Sequence, residues 1–143
     1  MGCIAATAAC DRPDDQLEKA PLTATHQALS AEEVAYRCVG TTRAALTIAR
    51  RTKHESLDYY ADLQRWWYQH TVDTVIRQSG RDPAIASWDE RRAVSAGLYN
   101  GLGPHHVAYQ VEIKGDLANA TPGTRMAQDL QFCIDLAPPE IGR

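Results

Sequence analysis

Leu29-Ser30-Ala31-Glu32-Glu33-Val34 is the stretch that most narrows what this chain can become. Ser30 and Glu33 have the spacing of a capping box. The Ser30 hydroxyl accepts from the amide of residue 33, and the Glu33 carboxylate accepts from the amide of residue 30. Leu29 and Val34 flank that box as a hydrophobic staple. A helix start of this kind contributes about 1 kcal/mol. Downstream, Val34, Cys38, Thr41, Ala45, Ile48 and Ala49 recur at three- and four-residue steps, which is one face of a helix. Arg37, Arg43, Arg50 and Arg51 fall on the other face. The pattern predicts a helix from Ser30 to near Lys53, with basic residues at the negative end of its dipole.

A second helix is predicted from Ser56 to Gln78, with Gly80 as its stop. Leu57, Tyr60, Ala61, Tyr68, Thr71, Val72, Val75 and Ile76 share a stripe, and Trp67 sits at its margin. Tyr59, Leu63, Trp66 and His70 form another line on nearly the opposite side. A surface helix carries one apolar stripe. Two sides of aromatic matter predict either a helix central in a bundle or an exposed aromatic line available to a partner. Asp82-Pro83 restarts the chain as a helix cap and first turn. Ile85, Trp88, Arg92, Ala96 and Tyr99 follow at helical spacing, until Asn100-Gly101-Leu102-Gly103 breaks the pattern.

Residues 105–136 carry two periods at once. Val107, Tyr109, Val111 and Ile113 alternate as in a strand, and so do Leu130, Phe132, Ile134 and Leu136. Val107, Val111 and Ala118 also share a helix face, as do Met126, Leu130, Cys133, Ile134 and Ala137. Pro104 and Pro122 stand where helices start, and Pro138-Pro139 ends the last one, since proline disfavours helix in the residue before it. An isolated hairpin is also marginal without a third strand. The expectation is an all-α bundle of about five helices with an extended N-terminal tail. An α+β fold with a hairpin over residues 105–136 is the alternative.

At 143 residues the chain suits a single domain, which needs no metal to fold. Its net charge of −3 and its scattered Lys and Arg build no basic stripe, so nucleic acid is excluded as a partner class. No apolar run approaches the length of a membrane span. The opening MGCIAATAAC holds no charged side chain. The small residues Thr7-Ala8-Ala9 before Cys10 resemble the end of a bacterial lipoprotein signal, where the cysteine becomes the lipidated N-terminus. Thr7 stands where such signals usually carry leucine, and the basic start and long apolar stretch of a signal are absent. The resemblance implies a start inside a longer precursor and Cys10 as lipid acceptor. Myristoylation of Gly2 fits less well, because Ala6 stands where that motif wants Ser or Thr. The polar, proline-containing run of residues 11–29 reads as a tether. The division expected is therefore residues 1–29 as export remnant and tether, and residues 30–143 as the helical domain.

Cys38 and Cys133 lie on the apolar faces of the first and last long helices. Pairing them closes a loop of about 95 residues and stabilises by about 4 to 5 kcal/mol in the chain-entropy model. Such a bond persists only in an oxidising compartment, and with the N-terminal pattern it predicts a periplasmic or lipid-anchored location, a cytoplasmic one being the alternative. With no C-x-x-C, the sequence supports neither a zinc cluster nor a c-type haem site. A glycine-rich phosphate loop, a G-x-S-x-G elbow and an H-E-x-x-H are also missing, so no cofactor or metal is assigned. His54, Asp58 and Asp62 stand at i, i+4 steps of the kind common on helix surfaces. The leading functional expectation is a non-catalytic exported domain that binds a protein in the cell envelope through Tyr59, Leu63, Trp66 and His70. Membrane contact would come only through a lipid anchor. Two alternatives remain. One is a small-molecule or metal binding bundle with a pocket lined by Tyr59, Trp66 and His70. The other is an enzyme using His105 or His106 with a carboxylate.

Overall fold

The computed structural model describes residues 20–98 and 125–142. Among these residues every regular element is helical: α1 (Leu22–Thr25), α2 (Ala31–Thr52), α3 (Leu57–Gln78), α4 (residues 88–98) and α5 (Arg125–Leu136). Single turns of 3₁₀ helix at His26–Ala28 and Pro83–Ile85 lead into α2 and α4. The all-α expectation holds, and α5 settles the ambiguous alternation of Leu130, Phe132, Ile134 and Leu136 in favour of a helix. The first strand of the alternative hairpin, with Val107 to Ile113, lies outside the described residues.

The capping box at the start of α2 forms as its spacing requires. Glu33 N–H donates to Ser30 Oγ at 3.1 Å, and Ser30 N–H donates to Glu33 Oε2 at 2.8 Å. Lys53 closes the helix in the left-handed region, at φ 50°. His54 N–H then reaches back to Ala49 C=O at 2.9 Å and turns the chain into α3. At the far end Gly80, with φ 81°, supplies the stop expected of it. Because the α2–α3 link is short, the two 22-residue helices pack as an antiparallel hairpin. The Thr71 hydroxyl lies 3.4 Å from Ala35 C=O, which sets the end of α3 beside the start of α2. α5 lies across this hairpin. Cys133 reaches the first half of α2 and Met126 the second half, at Ala44 and Ala45, so α5 runs antiparallel to α2.

The central helix is α2, whereas the aromatic pattern had pointed to α3. From Arg37 to Leu46 every residue but Arg43 is buried, whichever way the side chain points. Small residues make that possible. Gly40, Thr41, Thr42, Ala44 and Ala45 occupy little volume, so neighbouring elements approach closely on several sides. Thr41 leaves its buried hydroxyl without a hydrogen-bond partner among the described residues, but three other buried threonines carry their own solution to desolvation. Thr42 donates to Cys38 C=O at 2.7 Å, Thr71 to Trp67 C=O at 2.6 Å and Thr74 to His70 C=O at 2.8 Å. Each bond returns a hydroxyl to the preceding turn of its own helix. α3 is buried instead along Leu63, Trp67, Thr71, Val72, Thr74 and Ile76. Trp67 lies at the centre of that face rather than at its margin.

Two boundaries also move. The chain is folded onto the bundle from residue 20 onward, ahead of the expected domain start at Ser30. Leu22 is fully buried in the core, and the His26 ring packs 5.0 Å from that of Phe132. A single leucine among polar residues is too short a signal to separate a docked turn from a tether. Further along, Asp82-Pro83 opens only a 3₁₀ turn, with Asp82 accepting from Ala84 N–H at 2.9 Å. α4 starts later, at a second capping box formed reciprocally by Ser87 and Glu90 at 3.1 and 3.2 Å. That S-x-x-E spacing stands in the sequence, but the proline four residues earlier is the louder start signal.

Candidate functional site

Cys38 and Cys133 are joined by a disulfide with their Cα atoms 5.5 Å apart, and both are fully buried. Trp67 braces the same point from α3, its indole N–H donating to Cys133 C=O at 3.0 Å. All three long helices therefore meet at one cysteine. The bond fits an oxidising compartment.

Beside it lies an arrangement the sequence reading missed. Arg37, placed on the polar face by its spacing, is buried and donates to Asp129 Oδ2 at 2.9 Å. Asp129 is fully inaccessible, and its other oxygen accepts Leu22 N–H at 2.6 Å. Arg37 also donates to Ala20 C=O at 2.8 Å. Two buried charges thus neutralise each other and also satisfy the backbone of the incoming N-terminal segment. That is the condition under which burying charge is tolerable. The signal for it is relational. Arg37 precedes Cys38, and Asp129 stands one turn before Cys133. Once the cysteines pair, these side chains are brought together; neither residue shows it alone.

The expected binding line on α3 divides. Leu63 is 0% exposed and belongs to the core. Trp66 and His70 are half-buried and stack on each other, with ring centroids 4.7 Å apart and an interplanar angle of 11°. Trp67 meets both edge-on, at 4.9 Å from Trp66 and 5.4 Å from His70. Burial holds the His70 pKa below the ordinary histidine value; the Arg77 charge adds to that and Asp73 opposes it. Tyr59 lies under the C-terminal turn. At Gly142, with φ 79°, an added Cβ would come within 2.6 Å of Tyr59 Cδ2, so that turn rests directly on the ring. Burial, with smaller contributions from Tyr60 and Asp135, raises the Tyr59 pKa. The line is therefore a seam of the bundle, partly open at Trp66 and His70, and not a flat exposed patch.

Among the described residues the exposed large apolar side chains lie elsewhere, one of them Leu136 at the end of α5 and the other two together around the start of α4. Ile85 is 82% exposed and Trp88 69%, at the joint between the 3₁₀ turn and α4. The Arg92 guanidinium sits over the Trp88 ring, 5.1 Å from its centroid, a cation–π placement. The joint itself is anchored. Arg91 pairs with Asp73 of α3 at 2.8 Å and donates to Pro83 C=O at 2.7 Å, and Arg81 pairs with Glu90. Trp88, one of the residues at helical spacing after Pro83, is thus presented from a fixed base.

His54 is exposed at the α2–α3 link and accepts Ser56 N–H at 3.0 Å, while Asp62 pairs with Arg65 at 3.0 Å. Both are surface interactions of the ordinary kind. Among the described residues no group of three or more His, Cys, Asp or Glu side chains is placed to hold a metal ion, and no helix is long and apolar enough to cross a membrane. Cys10, the expected lipid acceptor, and His105 and His106, either of which the enzyme alternative would use with a carboxylate, lie outside the described residues. No protein-family model, curated protein or solved structure matches this chain.

Proposed function

We propose that this protein is a non-catalytic, disulfide-braced helical domain, exported to the bacterial envelope, that binds a protein partner there. The observation that carries the binding role is the Ile85–Trp88 joint, two large apolar side chains exposed within four residues on an ion-paired base. Trp and Arg dominate the energetics of protein contacts, and here they stand together. The envelope address rests on the buried Cys38–Cys133 bond and on the small residues that precede Cys10. Tyr59, Leu63, Trp66 and His70 keep a supporting part in this reading. They pack α3 into the bundle, and Arg91 fixes the joint against that helix.

The test is a photo-crosslinking amino acid placed at position 84, exposed beside Ile85, in the native cell, which leaves Trp88 in place. The expected result is a discrete covalent adduct to one protein of the envelope, identified by mass. Diffuse labelling, or none, sinks the binding role. Intact mass of the recovered protein, before and after reduction, tests the address. A processed, lipid-modified chain that gains two protons on reduction supports it; a chain that starts at Met1 with free thiols removes it.

A further inference from the structure

Around the Ile85–Trp88 joint the charges are of both signs. Arg81, Asp82, Asp89, Glu90, Arg91 and Arg92 supply three of each. A nucleic acid or an anionic bilayer selects a surface of uniform positive charge, and this one is not. Most of these charges are already committed. Arg81 holds Glu90, Arg91 holds Asp73, and Asp82 caps the 3₁₀ turn. Two exposed ones flank the indole. Arg92 has turned onto the Trp88 ring, and Asp89, three residues before it on α4, forms no ion pair among the described residues.

We infer that the Ile85–Trp88 joint is a self-complementary surface whose occupant is a second copy of this chain. The inference rests on the reading of that joint as a binding face and names its partner. An isologous two-fold contact brings each patch against its own copy, so it needs an apolar centre and paired opposite charges about the axis. Ile85 and Trp88 supply the centre. Asp89 of one copy meets Arg92 of the second, and the reverse contact follows by symmetry. The two apolar side chains expose only a few hundred Å², against the roughly 800 Å² per partner of a standard stable interface. The dimer is therefore weak and concentration-dependent, with a Kd on the order of 10 to 1,000 μM.

Sedimentation velocity of the purified full chain, oxidised, over about 1 μM to about 1 mM reads this directly. The expected result is a shift from monomer to dimer within that range. Trp88→Ala raises the Kd at least about tenfold, as does each of Asp89→Arg and Arg92→Asp alone. An equimolar mixture of the two charge-reversed proteins dimerises again, because every cross-axis contact is then Arg against Asp. A monomer at all concentrations overturns the inference. So does a dimer indifferent to Trp88→Ala, or a mixture that stays monomeric. Since Trp88, Asp89 and Arg92 are all exposed, the variants fold, and unchanged circular dichroism checks it. A monomer in this experiment together with a crosslink from position 84 to a different protein would refute the second copy while leaving the envelope-binding role in place.

Discussion

The seam between α2 and α5 and the joint before α4 handle polar groups in opposite ways. At the seam a covalent bond, a buried ion pair and the backbone of residues 20–22 interlock, and both charges of the pair are buried. At the joint, ion pairs are open to solvent and hold up side chains that are themselves exposed. Exposed pairs contribute little to stability, whereas breaking a buried pair is costly. The fold is therefore secured at the seam, which leaves the joint free to expose apolar surface at little cost to the domain.

The sharpest way to break that comparison is to remove the crosslink. Cys38→Ala with Cys133→Ala should lower unfolding free energy by about 4 to 5 kcal/mol, read from urea denaturation. The oxidised parent treated with reductant in denaturant, then refolded with its thiols blocked, should show a similar loss. Next comes Asp129→Ala, expected to cost about 3 to 5 kcal/mol, because it strands the buried Arg37 and the Leu22 amide together. Arg37→Met with Asp129→Leu should cost much less than Asp129→Ala, since no charge is then left unpaired. Hydrogen exchange should show residues 22–28 losing protection first in Asp129→Ala. If the whole bundle loosens uniformly instead, the N-terminal turn is not held by this pair.

Leu63→Ala is expected to cost about 2 to 5 kcal/mol by chemical denaturation. That outcome would confirm that one residue of the apparent aromatic line is core. The case also shows what was legible in the sequence. The capping box, the stop at Gly80 and the partnership of Cys38 with Cys133 are local or pairwise signals, and each is present in the fold. Periodicity located both long helices but misjudged which faces are covered. It put Arg37 on the polar face and gave Trp88 only a helical spacing, because a side chain's burial depends on what the other helices bring to it. Arg37 is buried because Asp129 arrives from 92 residues away. Trp88 is exposed because Ser87 and Glu90 start α4 in a register that presents it outward.

A smaller effect should come from His70. Its folded pKa lies below its unfolded value near 6.5, so the unfolded chain takes up the proton first as the pH falls. Stability from this residue is present above about pH 6.5 and is lost as the pH drops through the unfolded value toward the folded one. Trp66 and Trp67 cover the ring, Arg77 opposes its charge and Asp73 favours it. The His70→Asn variant should show a shallower decline in denaturation midpoint between pH 7 and pH 5. An unchanged slope would mean that other groups carry the acid sensitivity.

The smallest expected change is at Trp88, and it is the one on which the comparison turns. An exposed indole contributes to folding mainly through its contact with Arg92, so Trp88→Ala should shift unfolding free energy by no more than about 0.5 kcal/mol. Denaturation at low micromolar concentration, where any association is negligible, isolates that number. A loss comparable to that of Leu63→Ala would make the joint part of the core, and its exposure would no longer mark a surface for binding. A negligible loss, together with weakened association, would separate the two regions cleanly. The same substitution would then leave the domain intact and remove only what the domain presents.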